Sequence, residues 1–136
     1  MIVLVIDANI LFSALIKNSL TAKLIFDGDI MLSAPEFVID EFLKYEGLIL
    51  KKISRARGEF IQIMHMLKDI ITVVPQEEYS EFIEDAKKFS PDEKDVMYLA
   101  LALKLNCAVW SNDKKLKAQN KVKIFSTEDL NYELKK

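Results

Sequence analysis

The chain has 136 residues, 51% of them hydrophobic and 29% charged, with a formal net charge of −2. That is long enough for one domain with a real core, and the composition is that of a globular protein, neither disordered nor membrane-embedded. The lone cysteine, Cys107, excludes an intramolecular disulfide, and the lone histidine, His65, excludes a zinc site rich in His or Cys, so any metal site must be built from oxygen ligands.

Val3-Leu4-Val5-Ile6 is a short β-branched run, the pattern of a strand buried on both faces, and it stops at Asp7. Ile10, Leu11, Ala14 and Leu15 then recur at helical spacing and predict a helix over 10–17. Asp7 therefore belongs at the carboxyl end of a strand, the edge where open α/β sheets bind ligands. The plainer reading is that Asp7 or Asn9 caps the helix. Asn18-Ser19 is a break, a second helix spans 20–26, and Asp27-Gly28-Asp29 is a turn signal. Ile30-Met31-Leu32-Ser33 is the next strand, and Pro35 suits the first position of a helix. Val38, Phe42, Tyr45 and Ile49 keep helical spacing with Glu41 among them, while Gly47 weakens that helix without ending it. A further helix over 55–68 puts Phe60, Ile61, Met64 and Leu67 on one side. His65 lies near that side, as a packed structural histidine would. The stretch from 35 to 68 lacks a strand and predicts a protruding helical pair.

Ile70-Ile71-Thr72-Val73-Val74 is a β-branched strand stopped by Pro75. Tyr79, Phe82, Ile83 and Ala86 predict an amphipathic helix over 77–88. Ser90-Pro91-Asp92-Glu93 reads as a capping box that opens a helix through Leu103, apolar nearly all round and so buried. Ala108-Val109-Trp110 is a short strand ending in the turn Ser111-Asn112-Asp113. Val122-Lys123-Ile124-Phe125 is the last strand. Ser126-Thr127 caps a final helix with Glu128 and Asp129 in its first turn. Alternating strands and helices predict an α/β domain over 1–136 with a mostly parallel sheet, without repeats or linkers. No apolar run approaches the roughly 20 residues of a membrane span. No basic segment precedes the short N-terminal run, so no signal peptide is expected and a cytoplasmic location is.

Four carboxylates carry the chemistry. Asp7 and Asp113 follow strands that share an edge if those strands are neighbours. Asp95 lies at the start of the most buried helix, one turn before Leu99. Glu41 sits beside an apolar stripe, whereas Asp40 faces solvent. Asp92 has a good account as a helix-start residue and is near enough to hold a ligand or a water. Acids gathered without a cation among them repel, and a divalent ion relieves that repulsion. Oxygen-only donors favour Mg2+ or Mn2+, and phosphodiester hydrolysis is the chemistry such a site serves. Asn9 and Ser111 can orient waters or ligands without adding charge. Two basic runs flank these acids. Lys51, Lys52, Arg55 and Arg57 form one, and the other begins at Lys114. Each is a solvated face or, if phosphates approach, an RNA contact.

Val5-Ile6-Asp7-Ala8-Asn9, Glu41, Asp95-Val96-Met97-Tyr98-Leu99-Ala100-Leu101-Ala102 and Ser111-Asn112-Asp113, in that order across nearly the whole chain, resemble the PIN-domain nucleases. The resemblance implies a three-layer α/β/α sandwich around a central, mostly parallel sheet. It implies dependence on Mg2+ or Mn2+ and cleavage of single-stranded RNA. Asp7, Glu41, Asp95 and Asp113 then look like the metal-binding acids, with Asn9, Ser111 and Asp92 as supports. Small members of this kind resemble VapC-type toxins, which pair with an antitoxin and form homodimers. An aspartyl-phosphate phosphatase is the rival enzyme class, but it needs a second Asp where Asn9 stands. A catalytically idle module of the same fold, binding RNA or protein, is the non-enzymatic rival.

Overall fold

The computed structural model describes residues 2–16, 18–27, 29–53 and 56–136. Their five strands form one parallel sheet in the order β3-β2-β1-β4-β5: β1 Ile2–Ile6, β2 Ile30–Pro35, β3 Ile71–Val74, β4 Ala108–Trp110 and β5 Ile124–Phe125. β1 is central. Val5 pairs with Ser33 of β2 on one side and with Val109 of β4 on the other. Leu4, Val5 and Ile6 are all fully buried, which an alternating strand could not manage and a strand covered on both faces must.

The described residues also form eight α-helices: α1 Ala8–Ala14, α2 Leu20–Asp27, α3 Glu36–Lys44, α4 Glu46–Ile53, α5 Arg57–Ile70, α6 Ile83–Phe89, α7 Val96–Leu105 and α8 Thr127–Lys135. They cover the sheet to give a three-layer α/β/α sandwich. α7 packs against β1, β2 and β4 with α6 outside it, while α2 packs against both α1 and α8. The apolar circumference of α7 is explained by this position, with Tyr98, Leu99, Ala100, Leu101 and Ala102 all buried. Among the described residues no helix is long and apolar enough to cross a membrane.

Several boundaries differ from the sequence reading. α1 starts at Ala8, two residues early, because Asp7 caps it, and it closes at Leu15. Lys17, the predicted last residue, lies outside the described residues. Pro35 ends β2, paired with Val74, and is the N-cap of α3, not its first residue. The helix expected across Tyr45 breaks there, at φ −103° and ψ 24°, and Gly47 lies inside α4. Ile70 belongs to α5, since the amide of Ile71 still bonds Leu67. On α5, Phe60, Met64 and Leu67 are buried, but Ile61 and His65 are exposed, so His65 is not a packed histidine. The helix predicted over 77–88 is two 3-10 turns, Gln76–Glu78 and Ser80–Phe82, followed by α6, with the buried Tyr79 between the turns. Ser90 does not cap α7: its hydroxyl donates to the Asp92 carbonyl at 2.6 Å. Asp92 is the cap, accepting from the Lys94 amide at 3.0 Å and opening a 3-10 turn over Glu93–Asp95. β5 is shorter than expected because both backbone groups of Val122 bond the Gln119 side chain, at 2.8 and 2.9 Å, and do not join the ladder.

Candidate active site

Each acid is delivered by the end of an element. Asp7 follows β1 and is only 7% exposed. One carboxylate oxygen accepts the Ile10 amide at 2.9 Å and so caps α1. The other accepts the Ser111 hydroxyl at 2.5 Å. Capping and site membership are thus both true of Asp7, one for each oxygen. Ser111 follows β4 and is buried. Its oxygen also accepts the Asp113 amide at 3.1 Å, so one hydroxyl ties Asp7 to the loop that carries Asp113. Asp113 in turn accepts the Lys115 amide at 3.0 Å. The parallel pairing of β1 with β4 makes this possible, because it puts both strand ends on one edge.

Asp95 arrives from the opposite layer, at the junction of the 3-10 turn and α7, where it makes no side-chain cap bond. Its pKa is raised to about 6, chiefly by burial, then by the charges of Asp113, Asp92 and Asp7, with Lys115 pulling the other way. Asp7 is raised as well. Burial is the largest cause, its bonds from Ser111 and Ile10 oppose it, and Asp113 adds to it. Tyr98, one turn into α7, accepts the Ala8 amide at 3.2 Å and so pins α1 to α7. Burial pushes its phenol well above the ordinary range.

The result is a cleft of about 750 Å3. Asp7, Asn9, Glu41, Asp92, Asp95 and Asp113 all line it, so the structure brings every predicted acid and two of the three supports to one place. Ser111, the third support, lies behind Asp7. The basic residues are dispersed. Lys51 and Lys52 are exposed in the last turn of α4 and do not line the cleft. Arg57 pairs with Glu46 at 3.6 Å. Arg55 lies outside the described residues. Lys114 lines an adjoining groove that shares Asp113.

Seven cleft residues were not expected in the site: Ala8, Phe37, Gln76, Glu93, Lys94, Met97 and Tyr98. Phe37 stands four residues before Glu41 and Tyr98 three after Asp95, so helical spacing carried a signal for both. Gln76 follows β3 and had no local signal. Lys94 qualifies the expectation of acids without a cation among them, since it lines the same cleft.

A PIN-domain family model matches residues 5–135. The chain belongs to the PIN-domain family. Members of that family are nucleases, and this PIN domain has its acids on the expected edge of the expected sheet. Its fold is similar to that of VapBC2 from Rickettsia felis, solved bound to a DNA fragment from its promoter. The TM-score is 0.60 at 14% identity, covering 92% of this chain and 98% of that one. No curated protein matches the sequence.

The donors of this PIN domain are all oxygens, and its acids outnumber the one lysine beside them, which fits a hard divalent cation. Among the described residues, no three acidic, histidine or cysteine side chains are gathered closely enough to hold an ion as they stand.

Proposed function

We propose that this PIN domain is a Mg2+- or Mn2+-dependent endoribonuclease that hydrolyses phosphodiester bonds of single-stranded RNA. The observation that supports it most is the gathering of Asp7, Asp95 and Asp113 along a single cleft, where the charge of Asp113 adds to burial in raising the pKa values of both Asp7 and Asp95. Acids held in mutual repulsion at neutral pH call for a cation. Asp7, Glu41, Asp95 and Asp113 would hold it. Bound there, it would supply an activated water and neutralise charge building on the phosphate.

The chain's own residues set the geometry. Ser111 and the Ile10 amide hold the Asp7 carboxylate in one orientation. Ser111 also fixes the Asp113 loop relative to it. Asp92 is committed through one oxygen to the Lys94 amide and can take a water with the other. Asn9 offers an uncharged amide on the same wall. The reading extends, as the resemblance to VapC-type toxins implies, to a toxin role with an antitoxin protein as partner, a homodimeric assembly and a cytoplasmic site of action; the fold shared with VapBC2 supports the toxin–antitoxin part.

The test is cleavage of a single-stranded RNA with Mg2+ or Mn2+ present, and again with a chelator. Cleavage should require the metal and vanish in Asp7→Asn, where asparagine keeps the helix cap and removes the charge. Full activity in Asp7→Asn, or activity indifferent to the chelator, would overturn the reading.

A further inference from the structure

We infer that Phe37 is a stacking platform for a nucleobase of the strand being cut, the base beside the scissile phosphate. The inference rests on the ribonuclease reading above and adds a side chain that reads the substrate. Phe37 is 41% exposed and lines the carboxylate cleft. A large aromatic ring left open to a cleft lined by six acids forgoes its burial free energy unless a ligand covers it.

The ring is also well supported. Its centroid lies 5.8 Å from that of Tyr98, at an interplanar angle of 52°. Tyr98 is itself buried and its hydroxyl accepts the Ala8 amide, so the support is anchored at its far end. Phe37 and Glu41 sit one turn apart on α3, about 6 Å along the axis, and both line the cleft. That interval suits a nucleotide with its phosphate at the acids and its own base over the ring. Gln76 lines the same cleft and carries both a donor and an acceptor for a base edge.

The arrangement selects against a duplex. A base inside a helix is already stacked on both faces, and proteins read RNA by stacking where bases are splayed out. The acids repel phosphates other than the one neutralised at the metal, whereas Phe37 and the neighbouring Met97 are neutral. A strand therefore gains on the aromatic side what it loses on the acidic side.

The experiment uses the full chain in the Asp7→Asn background, so that RNA binds without being cut. Affinity is measured for a single-stranded RNA and for the same RNA made abasic at one position at a time. Phe37→Ala should weaken binding by about 5- to 150-fold, and Phe37→Trp should not. Phe37→Leu keeps an apolar contact on Tyr98 and should behave like Phe37→Ala. At one position beside the cleavage site, the abasic RNA should bind wild-type Phe37 and Phe37→Ala equally. In the active protein the loss should fall on KM with kcat little changed. Unchanged affinity in Phe37→Ala, or losses that simply add at every abasic position, would overturn the platform. If Phe37→Ala binds as tightly as Phe37 while wild type still cuts RNA, the nuclease reading stands without the platform. A wild type that neither binds nor cuts RNA removes both.

Discussion

Asp95 shows most plainly how the site is built against stability. Its neighbours are acids, and burial plus their charges lift its pKa to about 6 from an ordinary value of 3.8. A carboxyl whose folded pKa is raised binds more protons folded than unfolded between those two values. Stability from this group is therefore fully present below about pH 4 and is lost as pH rises through about 6. At pH 7 the charged form is a cost, on the order of 1 kcal/mol once solvent screening is allowed for. Without divalent ions, Asp95→Asn should melt higher than wild type at pH 7, and the difference should shrink to nothing by about pH 4. Melting curves of both proteins across that range check it, and a pH-independent difference would mean that neither burial nor the neighbouring acids raise the Asp95 pKa in the folded chain. Asp7 was legible for the opposite reason. Its strand-end position is written in the apolar run before it, and the helix-cap reading, at first sight a competitor, describes its second oxygen.

At the level of elements, the sequence carried existence and order well and ends poorly. Every strand and most of the helices lie where periodicity put them, since burial on a sheet imposes that pattern. Ends depend on single hydrogen bonds that many residues can make. Ser90 and Asp92 are equally good caps by type, and only the chain's path decides that Asp92 takes the role. Val122 looks like strand until Gln119, three residues away, claims its backbone. The carboxyl end of α7 is a further case. Asn106 closes it at φ 52° and ψ 53°, its amide reaching the carbonyls of Ala102 and Leu103. An L-residue in that left-handed region costs roughly 1–2 kcal/mol, which asparagine tolerates and glycine avoids. Asn106→Ala should lower stability by about 1 kcal/mol, and Asn106→Gly should leave it unchanged or raise it slightly. Urea denaturation midpoints decide between them. Equal losses in both variants would show that the Asn106 side chain, not its backbone conformation, closes the helix.

For the whole molecule, the strand order made the acids predictable as a group. Placing β4 beside β1 in parallel puts two strand ends on one edge, and α7, lying across both, presents Asp95 to it. Alternating elements implied such a sheet, and helical spacing from Glu41 pointed to Phe37, but Gln76 joins the cleft through packing that no local pattern encodes. Charge is organised at the same scale. The chain is net negative and its cleft is acidic, so RNA phosphates outside the metal site must be met elsewhere. Lys51 and Lys52 are exposed at the carboxyl end of α4, where they also offset the helix dipole. If the strand passes over them, each phosphate left without its lysine should make the salt dependence of binding shallower by about 0.7 in log K against log salt. The double substitution Lys51→Gln/Lys52→Gln, made in the uncleaving Asp7→Asn background, should then flatten the slope by roughly 1.4 and weaken binding most at low salt. An unchanged slope would return the pair to a solvated helix end. It would also leave Lys114, on the groove that shares Asp113, as the place to look for the strand's exit.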